Sequence, residues 1–178
     1  MSRIRYGAKV EQRSREIEAT RAEIWSTAVT AIYETDPELI AAVLPKPLEP
    51  ADAPLVRLTI TSVEMPGIPA FGAGWFGVAA RHGDLLGEYP IFMPMTTEQS
   101  VIGGRETFGE PKKLAEVTLE RAQDGPGSSV VGRVTRLGTT IIEVRGTVGE
   151  EISIDDGQRT DFYFKFLRSP DGKGFDSE

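Results

Sequence analysis

Cysteine is absent from this 178-residue sequence, and histidine occurs once, as His82. Without cysteine the chain can form no disulfide, no thiol nucleophile and no cysteine-ligated zinc site. A single histidine excludes a multi-histidine metal site, and a Ser-His-Asp triad would have to use His82. Because His82 falls in a predicted turn between two strands, we expect it to be exposed and non-catalytic.

Long apolar runs and an excess of positive charge are also missing. The sequence has no stretch of about 18 apolar residues, and its start, Met1-Ser2-Arg3-Ile4-Arg5, lacks the apolar segment of a signal peptide. Its 27 acidic residues outnumber the 20 lysines and arginines, which argues against a nucleic-acid partner. We therefore expect a soluble, cytoplasmic protein with neither a membrane nor a nucleic acid as its partner.

The pattern along the chain predicts one mainly β domain. Residues 1–22 are highly charged and should form an arm or a solvated helix, and residues 23–178 should form the domain. Val56, Leu58 and Ile60 alternate with polar residues, which predicts a half-buried strand over Leu55–Val63. Similar short strands follow, separated by turns rich in glycine and proline, so we predict a closed antiparallel β-barrel with one or two short helices.

Three local patterns give sharper expectations. Thr35-Asp36-Pro37-Glu38 predicts a helix start, because Asp36 can cap the helix and Pro37 suits its first turn. Thr96-Thr97-Glu98-Gln99 predicts a second helix, which Gly103-Gly104 should weaken quickly. Thr160–Leu167 predicts a last strand.

Lys112 and Lys113 offer the best candidate nucleophile. An ordinary lysine has a pKa near 10.4, so at pH 7 only about one in 2,500 is unprotonated. Lowering that pKa to about 7 needs roughly 4–5 kcal/mol, whereas a second cation about 6 Å away supplies at most about 2.8 kcal/mol. Burial must provide the remainder. An amine made neutral in this way can attack a ketone and form a Schiff base.

The geometry of an extended chain assigns different faces to these lysines. Successive side chains point to opposite faces, so Lys113 should point away if Lys112 enters a cavity. Glu110 would share the face of Lys112, and an inward carboxylate would favour the ammonium form. On composition alone, adjacent lysines are more often solvated surface residues than catalytic ones.

The segment around these lysines resembles the signature of the acetoacetate decarboxylase family. The resemblance rests first on Gly104-Arg105-Glu106 followed by Pro111-Lys112-Lys113-Leu114. Further motifs agree in order and spacing from about Trp25 to Gly172: Tyr33–Leu39, Leu44–Glu49, Pro54–Arg57, Gly87-Glu88-Tyr89, Phe162–Lys165 and Ser169–Gly172. Together these motifs are fairly specific.

The resemblance implies a β-barrel or cone around a small apolar pocket, a homo-oligomer, no metal and no organic cofactor. It implies that Lys112 forms the Schiff base with a small oxo acid and that Lys113 tunes the pKa of Lys112. Acetoacetate decarboxylase is a standard example of an enzyme with an activated lysine. Decarboxylation of acetoacetate or a related β-keto acid would follow, with the iminium accepting the electrons released as carbon dioxide leaves.

Other residues near the motif have two interpretations each. Arg105 and Glu106 either bind the substrate carboxylate or form a structural ion pair. Phe92, Met93 and Met95 either line the pocket or pack in the core, and core packing is the commoner outcome for such side chains.

The sequence also departs from the family pattern. The family carries a glutamate in the strand before the Gly-Glu-Tyr motif, but Met65–Gly83 contains no carboxylate. A second family glutamate falls at Thr59, and a family arginine falls near Ser26. Condensation or dehydration of an oxo acid through the same lysine is therefore an alternative, and a non-catalytic barrel that binds small ligands is another. The family also continues for several strands beyond Ser169–Gly172, so we expect either a barrel that is completed differently or a C-terminally truncated domain.

Overall fold

The structure is a computed structural model that describes residues 25–65, 68–150, 159–168 and 170–177. Within these ranges the chain forms two helices, α1 (Pro37–Val43) and α2 (Glu98–Phe108). The strands in the same ranges are β1 (Trp25–Glu34), β2 (Glu49–Pro50), β3 (Leu55–Met65), β4 (Ile68–His82), β5 (Leu85–Met95), β6 (Lys112–Leu114), β7 (Glu116–Arg121), β8 (Ser129–Arg136), β9 (Thr139–Thr147), β10 (Leu167–Arg168) and β11 (Phe175–Ser177). The charged arm predicted for residues 1–22 lies outside the described residues.

The main sheet has the strand order β1-β3-β4-β5-β6, and β2 pairs with the end of β4. The pairs β1–β3, β3–β4 and β4–β5 are antiparallel, whereas β6 runs parallel to β5. The predicted alternation in β3 is confirmed, since Val56, Leu58 and Ile60 are buried and the residues between them are less so. One face of this sheet is therefore apolar along its centre.

A second sheet, β7-β8-β9, packs on that face. Leu58 and Ile60 of the main sheet form a buried cluster with Val117 of β7 and Val134 of β8. A Cβ on Gly132 would lie 2.9 Å from Ile60 Cδ1, so a side chain there would force the two sheets apart. Helix α1 covers the far end of the same face, where Ile40 is buried.

Helix α2 packs on the opposite face of the main sheet, through Val101 against a cluster of Ala73, Trp75, Met93 and Met95. Thr97 caps its start and accepts a hydrogen bond from Ser100 N–H at 3.4 Å. Gly103-Gly104 should weaken this helix quickly, but it is 11 residues long and extends past both glycines to Phe108. Both ends are capped and Val101 is anchored, which offsets the low helix propensity of the two glycines.

The prediction of a closed barrel is wrong for the described residues, because the sheets are open. Ala115 N–H still donates to Met95 O, at 2.9 Å, but β7 then pairs with β8 and leaves the main sheet. Burial of Val117 between the sheets accounts for this departure. The fold remains mainly β with two helices in the described ranges, and neither helix is long and apolar enough to cross a membrane.

The expected last strand over Thr160–Leu167 is also wrong. A single bridge joins Glu88 to Asp161, and only Leu167–Arg168 of this stretch pairs in a strand, with β11. Glu88 N–H donates to Thr160 O and Phe162 N–H donates to Glu88 O, each at 2.9 Å. The segment is thus held to β5 at one point, and its aromatic side chains pack by ring contacts instead of following a ladder.

Candidate functional site

The short strand β6 places Lys112 on the same face of the main sheet as α2. Lys112 is paired with Met93 of β5, and Met93 N–H donates to Pro111 O at 3.2 Å. Side chains of paired residues project on the same face of a sheet. Lys112 therefore lies beside the cluster of Trp75, Met93 and Met95, which supplies an apolar surrounding.

Lys112 and Glu110 form a buried ion pair. Lys112 Nζ lies 2.7 Å from Glu110 Oε2, and the two side chains are 13% and 0% exposed. The backbone supports this geometry, because Lys112 N–H donates to Glu110 O at 2.7 Å and Glu110 N–H donates to Gly104 O at 3.3 Å. The proximity that an extended chain predicts for these two residues is thus observed.

Gly104 makes room for this pair in the middle of α2. A Cβ at Gly104 would lie 2.5 Å from Lys112 Cδ and 2.7 Å from Lys112 Nζ, and nearer still to Glu110 Oε2. Gly103 is exposed and has nothing within 4 Å of a Cβ. Low helix propensity predicts only that both glycines weaken the helix, and this role of Gly104 is not predicted, although the family motif begins there.

The electrostatics of the pair follow from its burial. A charged carboxylate without solvent is costly unless a partner neutralises it, and the Lys112 amine supplies one. The pair can exist in two protonation states that have no net charge: an ammonium with a carboxylate, or a neutral amine with a carboxylic acid. They differ by the position of one proton over 2.7 Å. The site can therefore expose a neutral amine without releasing a proton to water.

A second group of polar side chains lies on the same sheet face. The Arg159 guanidinium lies 4.6 Å from the centre of the Trp75 ring, and Arg159 Nε donates to Asp161 Oδ1 at 2.9 Å. Trp75 Nε1 is buried and has no hydrogen-bond acceptor among the described residues. Trp75 is paired directly with Thr59 of β3. Thr59, at one of the positions where the family resemblance implies a glutamate, thus lies beside Trp75.

Arg105 and Glu106 line a pocket of about 190 Å³ on the surface, next to the buried pair. Its lining residues are Arg105, Glu106, Gly109, Glu110, Pro111, Phe164, Lys165 and Phe166. Arg105 Nη1 donates to Lys112 O at 3.4 Å, so the arginine contacts the backbone of β6 and not the amine. Lys112 is absent from this lining, and Glu110 connects the pocket to the amine. The contribution of Lys165 was not predicted.

The remaining predicted site residues lie in different places. Met93 and Met95 are 5% and 6% exposed in the cluster beside Lys112. Phe92 points to the other face and packs against the cluster between the two sheets. Lys113 is exposed and follows Lys112 along β6, so its tuning role stays a prediction. His82 ends β4 and is exposed.

The sequence matches the family model described as acetoacetate decarboxylase over residues 9–178. The chain belongs to the acetoacetate decarboxylase family. Among its relatives is acetoacetate decarboxylase 1 of Bradyrhizobium diazoefficiens, which is 32% identical over 145 residues. That match covers 79% of this chain and 56% of the relative, so the chain spans little more than half of that protein.

Several solved structures share this fold. An acetoacetate decarboxylase-like enzyme from Sphingomonas wittichii RW1 superposes with a TM-score of 0.72 at 23% identity, over 82% of this chain and 65% of that one. The enduracididine biosynthesis enzyme MppR, complexed with the condensation product of pyruvate and imidazole 4-carboxaldehyde, gives a TM-score of 0.71 at 15% identity. That superposition covers 82% of this chain and 63% of MppR. Members of the acetoacetate decarboxylase fold therefore include proteins named for different reactions.

Proposed function

We propose that this protein is a Schiff-base-forming carbon–carbon lyase that decarboxylates acetoacetate or a related small β-keto acid through Lys112. Membership of the family and the similarity to a named acetoacetate decarboxylase support this activity. The observation that carries the assignment to Lys112 is its position on the apolar face of the sheet, where its side chain is only 13% exposed. A solvated surface lysine would not be enclosed in this way.

The proposed chemistry follows from the amine. Lys112 adds to the substrate ketone, and loss of water gives a protonated imine. The imine accepts the electron pair of the carbon–carbon bond as carbon dioxide leaves, which forms an enamine. Addition of a proton to carbon and hydrolysis then release the ketone and restore the lysine.

The substrate carboxylate needs a cationic partner, and the surface pocket supplies two. Arg105 and Lys165 line it, and an arginine offers paired donors that match a carboxylate. Glu106 lines the same pocket and would repel a carboxylate placed next to it. We therefore assign Arg105 to substrate binding, with Met93 and Met95 as the apolar wall beside the amine. Phe92 packs behind this wall and would act on the substrate only through it.

The test is the release of carbon dioxide and acetone from acetoacetate, followed by NMR in the wild type, Lys112→Arg and Lys46→Arg. Lys46 is exposed and lies outside the site, so its variant controls for the loss of a lysine. We expect release in the wild type and Lys46→Arg, and none above the spontaneous rate in Lys112→Arg. Equal rates in all three proteins would refute the role of Lys112.

One observation favours a second candidate, the condensation or dehydration of an oxo acid through the same lysine. Thr59 stands where the family resemblance implies one glutamate, and Met65–Gly83 holds no carboxylate where it implies the other, so neither family glutamate is there to handle a proton on carbon. The fold is shared with MppR in complex with a condensation product of pyruvate. Borohydride-trapped adducts of pyruvate on Lys112, without carbon dioxide from acetoacetate, would favour this candidate over decarboxylation.

A further inference from the structure

We propose that Glu110 is a catalytic residue of this site, which takes the proton from the Lys112 ammonium and returns it to the departing hydroxyl during imine formation. The inference rests on the proposed function, because it requires Lys112 to react with a ketone. It adds a proton carrier that lies inside the motif, two residues before the lysine. Neither the sequence pattern nor the expected family residues assign it that role.

The Glu110 carboxylate is in direct contact with the Lys112 amine. Glu110 Oε2 lies 2.7 Å from Lys112 Nζ, which is within hydrogen-bonding distance of the reacting atom. The Glu110 side chain is fully buried, whereas that of Lys112 keeps 13% exposure. The carboxylate is therefore enclosed by protein, and the amine is the less buried partner of the pair.

The surrounding backbone also holds the Glu110 carboxylate in place. Glu110 N–H donates to Gly104 O, and a Cβ on Gly104 would collide with Glu110 Oε2 and with the end of Lys112. A general acid–base group works only when its reach to the proton is fixed. Helix α2 packs closely against both side chains at Gly104, and this packing restricts the geometry of the pair.

Several other charged side chains lie around this site. They are Arg105 and Glu106 on α2, Lys113 on β6, Lys165 beside Gly109, and the Arg159–Asp161 pair on the same face of the main sheet. Arg105 Nη1 contacts the Lys112 carbonyl oxygen, and both residues on α2 are exposed. Solvent screens exposed charges, so the buried carboxylate has the strongest influence of this set on the proton of Lys112.

The proposed step balances in atoms and charge. The ammonium of Lys112 gives one proton to the Glu110 carboxylate, and the neutral amine adds to the ketone carbon while the ketone oxygen takes up the amine proton released on addition. The Glu110 carboxylic acid then protonates the resulting hydroxyl, which leaves as water. An iminium cation remains opposite the Glu110 carboxylate, so the pair has the same charges at the start and at the end.

The test measures the rate of adduct formation between Lys112 and acetoacetate, trapped with borohydride and quantified by peptide mass spectrometry. The proteins are the wild type, Glu110→Gln and Glu110→Asp, each assayed from pH 5 to pH 9. The Glu110→Gln variant keeps the size of the side chain but carries no transferable proton, whereas Glu110→Asp keeps the acid on a shorter stem. Circular dichroism establishes that each variant is folded.

We expect Glu110→Gln to lower the plateau rate about 100-fold, which is the usual contribution of a general acid–base group. Its acidic limb should move to lower pH, because the ammonium loses its counter-ion. Glu110→Asp should lie between the two.

The outcomes separate the two proposals. A wild type that gives no adduct on Lys112 refutes the proposed function, and the role of Glu110 falls with it. A wild type that reacts, with the plateau and the acidic limb of Glu110→Gln both close to those of the wild type, refutes the role of Glu110 alone. If Glu110→Gln does not fold, the Glu110→Asp plateau decides: a plateau clearly below that of the wild type supports proton transfer, and one equal to the wild type counts against it.

Discussion

The two adjacent glycines of α2 allow a matched test of the site geometry. Gly103→Ala places a methyl group in open space, whereas Gly104→Ala places one 2.7 Å from Lys112 Nζ and even closer to Glu110 Oε2. Both changes raise helix propensity equally, by about 0.5–1 kcal/mol. The difference between the variants therefore isolates the contact with the buried pair.

The magnitude follows from how far the pair must move. Ordinary van der Waals contact begins near 3.4 Å, so Lys112 and Glu110 must retreat by roughly 1 Å from a methyl group at Gly104. Overpacking of this kind costs about 1–3 kcal/mol in a buried site. A displacement of about 1 Å in a reacting group can lower the rate about 100-fold. We expect Gly104→Ala to be about 1–3 kcal/mol less stable than Gly103→Ala and about 100-fold slower in adduct formation.

Urea denaturation measures the first quantity, and borohydride trapping with acetoacetate measures the second. Gly103→Ala should be slightly more stable than the wild type and should keep its trapping rate. Equal stability and equal trapping rates for the two alanine variants would show that α2 does not press on the Lys112–Glu110 pair, and the account of the site would be wrong.

Three further predictions concern single residues. Lys113→Met should slow trapping less than about fivefold, because an exposed charge is screened; a 100-fold loss would show that Lys113 tunes the amine strongly. Hydrogen bonds from Arg145 and Arg133 hold the pKa of Glu143 below its usual 4.5, so its contribution to stability is present above that pH and is lost as the pH falls through the lowered value. Urea midpoints of the wild type and Glu143→Gln should therefore converge in acid, and a gap that is independent of pH would contradict this. Gly109→Ala should cost about 1–2 kcal/mol in urea denaturation, because Gly109 ends α2 at φ 74°, and an unchanged midpoint would refute that cost.

The sequence predicted those parts of the fold that depend on local patterns. Asp36 and Thr97 cap the two helices as expected, and the alternation around Leu58 gave the correct face of β3. Closure of the barrel was not predictable in this way, because strand pairing beyond a hairpin depends on which distant edges meet. The Val117 side chain is buried between the two sheets, and β7 therefore belongs to the second sheet. No local signal at Glu116–Arg121 distinguishes this arrangement from continued pairing with β5.

The candidate site shows the same division. The two-residue spacing of Glu110 and Lys112 was enough to predict a shared face, but not that helix α2 would bury the carboxylate completely. Gly104 was interpreted through helix propensity, since a close approach depends on residues that are distant until the chain folds. Trp75 carries no sequence signal for a buried indole N–H without an acceptor, and its pairing with Thr59 follows only from the register of β3 and β4.

The most direct test of the central claim is to incubate the protein with acetoacetate at pH 7, reduce it with borohydride, and determine which lysine carries the adduct. The buried amine beside Glu110 predicts one adduct, on the peptide that contains Lys112, and none after substitution Lys112→Arg. An adduct spread over exposed lysines such as Lys46, or no adduct at all, would contradict the claim that Lys112 is the reactive amine of this protein.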